Sequence, residues 1–207
     1  MRATTRLGIM GGTFDPLHLG HLVTAEEALV QFNLDRVVFM PAGRPARKTD
    51  EDVTPAEHRY LMTVIGTAAN PDFEVSRMEI DRPGVTYTVD TLNALRDVHG
   101  PHAELFFITG ADAVWDIVGW KDAERFSGLA TFIAATRPGY DLDAARNVHA
   151  EELARIDIHF IEVPALAISS TDIRRRVAER RPIRYLVPEA VAAYIQKYRL
   201  YREARQT

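Results

Sequence analysis

The sequence predicts an α/β fold: a doubly wound parallel sheet with helices on both faces and a small C-terminal helical portion over about residues 168–207. Short, unbroken apolar runs recur along the chain, as strands buried on both faces require. Stretches with apolar residues at helical spacing separate them. A glycine-rich turn stands where the first run meets the first helical stretch, the place where such sheets bind ligands.

Leu7 to Met10 and Arg36 to Met40 (RVVFM) read as buried strands. Between them, His18 to Phe32 carries Leu19, Leu22, Val23, Glu26, Leu29 and Val30, mostly at helical spacing, which gives a β-α-β unit. In Thr54-Pro55-Ala56-Glu57 an N-cap, a first-turn proline and a capping-box glutamate precede Leu61, Val64, Ile65 and Ala68, so a helix starts there. Phe73 to Met78 reads as a strand, Val89 to Val98 as a helix, and Glu104 to Thr109 (ELFFIT) as a strand. Thr131 to Ala135 and His159 to Val163 continue the strands, and helices over Ser170 to Arg180 and Pro188 to Tyr198 close the chain. The charged stretch Arg44 to Asp52 (RPARKTDED) reads as a mobile loop beyond a strand's carboxyl end.

No Gly/Ser/Pro-rich linker, internal repeat or low-complexity tract interrupts the 207 residues, so 1–207 is expected to be a single domain. The formal charge of -4 argues against a generally basic nucleic-acid binder, while a local anion site needs only a few residues. The absence of cysteine removes thiolate nucleophiles and Cys-based metal sites, and fits a reducing compartment. MRATTRLGIMGG is too polar for a signal peptide, and no apolar run approaches the roughly 20 residues of a membrane span. The chain therefore reads as cytoplasmic, without a membrane or nucleic-acid partner. Its composition leaves open whether it forms a homo-oligomer.

GIMGGTFDPLHLGH, residues 8 to 21, concentrates the chemistry. Without a Cβ, Gly11 and Gly12 allow unusual dihedrals and a close approach of backbone N–H groups to phosphate. Neither GxxxxGK[ST] nor GxGxxG is present. His18 and His21 stand three apart in the first helical turn, hence on one face, and Gly20 between them leaves room for a ligand. Two imidazoles at a helix start can donate to phosphate oxygens and stabilise charge developing in phosphoryl-type transfer. Zinc is the competing reading for such a pair, but HExxH spacing and an evident third ligand are missing, so no protein metal site is expected.

GTFDPLHLGH resembles the GxFDPxHxGH signature of the HxGH nucleotidyltransferase superfamily, which has a Rossmann-like fold. A second element, Ile168-Ser169-Ser170-Thr171-Asp172-Ile173-Arg174, resembles its ISSTxxR motif and implies a second anion site at a helix start. On the residues alone, Ser169 with Asp172 forms a capping-box-like start and Arg174 offers a planar fork of donors. Arg175, Arg176, Arg180 and Arg181 read as a solvated face. Within the superfamily the chain is most similar to bacterial nicotinate-nucleotide adenylyltransferases over nearly its whole length. Glu79 to Leu92 (EIDRPGVTYTVDTL) resembles ExxRxGxSYTxDTL, and Gly110-Ala111-Asp112 with Trp120 resembles GADxxxxxxxW. Thr136-Arg137-Pro138-Gly139 matches the RPG turn. Pro41 to Lys48 (PAGRPARK) departs from the usual PPHK ending, with Arg47 in place of histidine and Lys48 retained.

The resemblance implies catalytic roles for His18, His21, Lys48 and Arg174, and implies that Gly11, Gly12, Thr13, Phe14, Ser169 and Ser170 surround the ATP phosphates. It implies that Gly110 and Asp112 hold the adenosine part, and that Thr88, Asp116 and Trp120 hold the nicotinate nucleotide. Read without it, Asp112 is equally a helix N-cap or a ribose acceptor, and Trp120 is a half-buried packing residue. His58, His99, His102, His149 and His159 belong to no constellation and read as structural.

The implied reaction is attack by the phosphate of nicotinate mononucleotide on the α-phosphorus of ATP, with magnesium carried mainly by the triphosphate. The products are nicotinate adenine dinucleotide, an intermediate of NAD biosynthesis, and pyrophosphate. Pantetheine-phosphate adenylyltransferases and glycerol-3-phosphate cytidylyltransferases share the HxGH signature, but the stretches around Thr88 and Trp120 do not suit them. An ATP-sensing module without turnover is the non-enzymatic alternative. RNA binding is disfavoured by the charge and by the lack of interleaved basic and aromatic residues.

Overall fold

The computed structural model describes residues 4–46, 53–110, 113, 117, 119–136, 155–164 and 167–202. The apolar runs become the strands β1 (Arg6–Gly12), β2 (Arg36–Pro41), β3 (Phe73–Val75), β4 (Glu104–Gly110), β5 (Thr131–Thr136) and β6 (Ile158–Glu162). Among the described residues these six form one sheet in the order β3-β2-β1-β4-β5-β6, with every pair parallel. That is the doubly wound, Rossmann-like order, with its reversal point between β1 and β4. Ile9 pairs with Val38 on one side and Phe107 on the other, which brings Gly12 and Gly110 to the same edge of the sheet.

Alternate side chains feed the two faces. Leu7, Ile9, Leu105, Phe107 and Phe132 pack with Val89, Leu92 and Leu95 of the helix α4 (Thr88–His99). Met10, Val37, Phe39, Phe106, Ile108 and Ile133 pack on the other face with Ala25 and Ala28 of the helix α1 (Leu19–Gln31). A third cluster joins Met62 of α2 (Ala56–Thr67) to Ile173 of α5 (Ser170–Ala178) and to Val191 and Ile195 of α6 (Glu189–Tyr198). The C-terminal helices are thereby fastened to the same edge as the glycine-rich turn. No helix among the described residues is long and apolar enough to cross a membrane.

Several expectations change in detail. The strand from Phe73 stops at Val75, because the Ser76 hydroxyl accepts the Met78 N–H at 3.1 Å and turns the chain into the short helix α3 (Met78–Asp81). Thr54 does not cap α2: Pro55 takes that position, while the Thr54 backbone bonds Asp15 and Arg59. The face of α2 also differs. Arg59, Met62, Thr63, Gly66 and Thr67 are buried, while Leu61 is 40% exposed and Ala68 is exposed. A buried arginine with three carbonyl partners fixes the rotation of the helix more strongly than Leu61 could. On α1, Glu26 and Val30 point outward and the small Ala25 and Ala28 make the close contact with the sheet.

Within the stretch expected as a mobile loop, the described residues Arg44 and Pro45 are tied down. The Arg44 carbonyl accepts the Thr86 N–H at 2.9 Å, and Pro45 bridges Thr86. Residues 47–52, including Arg47 and Lys48, lie outside the described residues. Just before this stretch, a Cβ on Gly43 would lie 2.2 Å from the Glu79 carbonyl oxygen. Since backbone cannot swing away as a side-chain end can, Gly43→Ala is expected to destabilise the fold by about 2–3 kcal/mol. Chemical unfolding would register this as a lower midpoint, and an unchanged midpoint would contradict the packing.

Candidate active site

The reversal point is built by β1, which runs into the turn at Thr13 and Phe14. Gly11 and Gly12 remain part of the extended strand, so unusual dihedrals are not the reason for glycine there. Added Cβ atoms would lie 2.7 Å from the Phe107 ring at Gly11 and 3.0 Å from the Phe14 ring at Gly12. Glycine thus lets two aromatic rings close under the turn. The left-handed backbone falls on Phe14, at φ 49°, whose ring is buried between Phe39 and His21. Any contact of Phe14 with a ligand must come from its backbone.

A cavity of about 480 Å³ opens beside this turn. Gly11, Gly12 and Thr13 line it, together with Thr86, Tyr87, Thr88, Trp120 and Lys121. Thr88 begins α4, whose N-cap residue Tyr87 supplies no side-chain cap, so first-turn N–H groups of that helix are available to an anion. Trp120 meets Phe107 and Phe126 edge-on, with centroids 6.1 Å away in each case, and still lines the cavity. It is thus a packing residue that also borders the cavity.

His18 is the N-cap residue of α1 and its ring stacks on that of His21 at 3.6 Å. The His18 backbone N–H donates to Nδ1 of His21 at 3.2 Å. A neutral imidazole that accepts at Nδ1 carries its proton on Nε2, which leaves a donor for an incoming anion. Burial, reinforced by the neighbouring His18, holds His21 well below the usual histidine range. A Cβ on Gly20 would lie 3.0 Å from Nδ1 of His18, so this glycine makes room for the imidazole rather than for a ligand.

The C-terminal element docks on the same turn. Ser169 caps α5 by accepting the Asp172 N–H at 3.1 Å, as expected, but the Asp172 carboxylate accepts from Arg175 and Arg176. Ser170 donates to the Pro16 carbonyl at 3.0 Å, and Arg174 donates to the Asp15 carbonyl at 2.8 Å. Gly11, Gly12, Thr13, His18, His21, Ser170 and Arg174 are thus assembled around one turn, and Thr88 and Trp120 line the cavity beside it. Gly110 ends β4 with open space around it, while Asp112 and Asp116 lie outside the described residues.

Four residues of this region had no role in the sequence reading. Asp15, Arg59 and Glu79 are 2%, 1% and 6% exposed, and Tyr201 donates to Asp15 at 2.6 Å. Glu79 lines the cavity and accepts from the Thr91 hydroxyl at 2.6 Å. Burial, partly opposed by Thr91, Arg82 and Arg59, raises the Glu79 carboxyl to about 7. An acid raised in the folded state binds more protons there than when unfolded. Its stabilising contribution is therefore full below the unfolded value of 4.5 and is lost as pH rises through about 7. Glu79→Gln, which cannot titrate, is expected to gain stability relative to wild type between those limits. Thermal midpoints that keep a constant difference over that range would contradict it.

Among the described residues, no group of three or more His, Cys, Asp or Glu is arranged to hold a metal ion. The donors at the turn suit phosphate oxygens and not a cation, so the side chains described provide no cage for magnesium.

A glycine-rich turn at a reversal point, flanked by paired imidazoles and an arginine, fits a nucleotidyltransferase class, and the family model described as cytidylyltransferase-like matches residues 9–176. A probable nicotinate-nucleotide adenylyltransferase of Moorella thermoacetica is 56% identical, over 95% of this chain and 92% of that one. Another, of Thermoanaerobacter, is 53% identical over 98% and 97%. The chain belongs to the nicotinate-nucleotide adenylyltransferase family. The fold agrees with that of Plasmodium falciparum nicotinic acid mononucleotide adenylyltransferase complexed with NaAD, at a TM-score of 0.77 and 23% identity over 95% of this chain and 97% of that one.

Proposed function

We propose that this protein transfers the adenylyl group of ATP to nicotinate mononucleotide, giving nicotinate adenine dinucleotide and pyrophosphate in NAD biosynthesis. The observation that carries this reading is one cavity lined both by the glycine-rich turn and by Trp120 with the start of α4. Two anionic nucleotides that meet there are aligned for in-line attack, and alignment supplies much of the rate. The relatives that share more than half of their residues with the chain carry the corresponding name.

In this reading the backbone N–H groups near Gly12 and Thr13, the Nε2–H of His21 and the guanidinium of Arg174 face the phosphates. They stabilise charge on the α-phosphate and the departing pyrophosphate. His18 holds the His21 ring in place and Ser169 and Ser170 hold the start of α5, with Lys48 contributing a further cation. Gly110 and Asp112 take the adenosine. The pyridine ring lies against Trp120, and its carboxylate is received by Thr88 and the first-turn N–H groups of α4; Asp116 is assigned to the same substrate by the family resemblance. A magnesium ion arrives on the triphosphate and offsets its charge.

Pyrophosphate release in the presence of ATP and magnesium tests this, with nicotinate mononucleotide, nicotinamide mononucleotide and phosphopantetheine supplied separately. The nicotinate substrate is expected to give the fastest release, because only it presents an anion to the start of α4. Equal release with the amide would contradict the carboxylate assignment. ATP binding without release from any of the three would favour a sensor.

A further inference from the structure

Arg59 is fully enclosed, does not line the cavity, and spends its donors on backbone alone. Its Nε–H donates to the Thr54 carbonyl at 2.8 Å, one terminal nitrogen to Thr13 at 2.9 Å and the other to Gly43 at 2.9 Å. These carbonyls belong to the phosphate turn, to the chain just beyond β2 and to the approach to α2. Gly43 and Thr54 stand on either side of Lys48 in the sequence.

A buried guanidinium persists only if it is hydrogen-bonded and neutralised. Asp15, and Glu79 when ionised, supply the opposing charge. Asp15 in turn accepts the Thr54 N–H at 3.2 Å and the Tyr201 hydroxyl at 2.6 Å, while its carbonyl accepts from Arg174 at 2.8 Å. Thr54 is therefore gripped through its carbonyl by Arg59 and through its N–H by Asp15. A planar fork fixes both the distance and the direction of its partners, which an apolar anchor in the same space cannot do.

We propose that Arg59 is a positioning residue for adenylyl transfer: it fixes the phosphate turn at Thr13 relative to the chain leaving β2 at Gly43 and the chain entering α2 at Thr54. Tyr201 supports it from the C-terminal turn by holding Asp15 in place. The inference rests on the adenylyltransferase reading above. Misplacement of reacting groups by about an ångström lowers rates by about 100-fold, so a loss of that order in kcat is expected for Arg59→Met. The KM for ATP should rise and the KM for nicotinate mononucleotide stay within about twofold, because Trp120 and Thr88 are held by other elements. Arg59→Lys, which keeps the charge but loses the fork, should fall between Met and wild type.

The test measures pyrophosphate release with each substrate varied in turn, at a temperature well below the unfolding midpoint of each variant. Tyr201→Phe keeps the ring and removes the hydroxyl that bonds Asp15 and the Thr54 side chain. It should move kcat and the KM for ATP in the same direction by a few-fold, and it decides the matter if Arg59→Met does not fold. A merely structural role would lower unfolding midpoints and leave both ATP parameters of the folded protein unchanged. That result in Tyr201→Phe and in each Arg59 variant that folds would overturn the proposal. Wild-type protein that releases no pyrophosphate would overturn the adenylyltransferase reading, and the inference with it.

Discussion

His21→Ala is expected to lower kcat by about 100- to 1000-fold, the usual effect of deleting one donor aimed at a developing negative charge. The His18 N–H fixes the His21 ring through Nδ1, so in the proposed reaction the Nε2–H would meet the phosphate without reorganisation. Low proton affinity suits that role, because a neutral donor neither requires nor releases a proton as charge builds. Alanine removes the donor, the stacking on His18 at 3.6 Å and the edge contact with Phe14 at 5.0 Å. The fold should survive, since the His21 ring lies at the start of α1 and the core beneath the turn is Phe14, Phe39 and their neighbours. A group depressed in the folded state contributes stability above its unfolded value of 6.5 and loses it as pH falls. Wild type should accordingly lose stability relative to His21→Ala as pH drops below about 6.5. Near-normal turnover of a folded variant would remove His21 from the mechanism.

Arg174→Ala should lower kcat by about 100-fold and raise the KM for ATP, since a charged fork touches ground state and transition state alike. Its Nη1 bond to the Asp15 carbonyl holds the guanidinium against the turn. Arg175 and Arg176 are committed to Asp172 and offer an internal control. Arg175→Ala should leave turnover within about twofold. Equal losses at positions 174 and 175 would mean that general positive charge, and not this placement, is what matters.

The sheet was legible because strands buried on both faces are written as unbroken apolar runs, and RVVFM and ELFFIT keep that signature wherever they occur. The glycine-rich turn at the sheet's reversal point was legible because its glycines, histidines and proline are contiguous. The glycines' reason was not: it lies in Phe107, nearly a hundred positions away, and in how Phe14 folds back. The buried network was hidden for the same cause, since Tyr201 meets Asp15 across 186 positions. Arg59 did leave a trace. Arg59, Met62, Thr63 and Gly66 follow helical spacing, and an arginine in that stripe points to a buried, bonded guanidinium. Leu61, Val64, Ile65 and Ala68 are the more apolar stripe, yet of these Ile65 packs on the C-terminal cluster while Leu61 and Ala68 are exposed.

The most direct test of the central claim follows the label when ATP carrying a radioactive α-phosphate is mixed with nicotinate mononucleotide, magnesium and the protein. Direct displacement between two aligned nucleotides predicts that the label passes into nicotinate adenine dinucleotide in step with pyrophosphate release, with none retained on precipitated protein. Label that stays in ATP, or that accumulates on the protein before the dinucleotide forms, would contradict it.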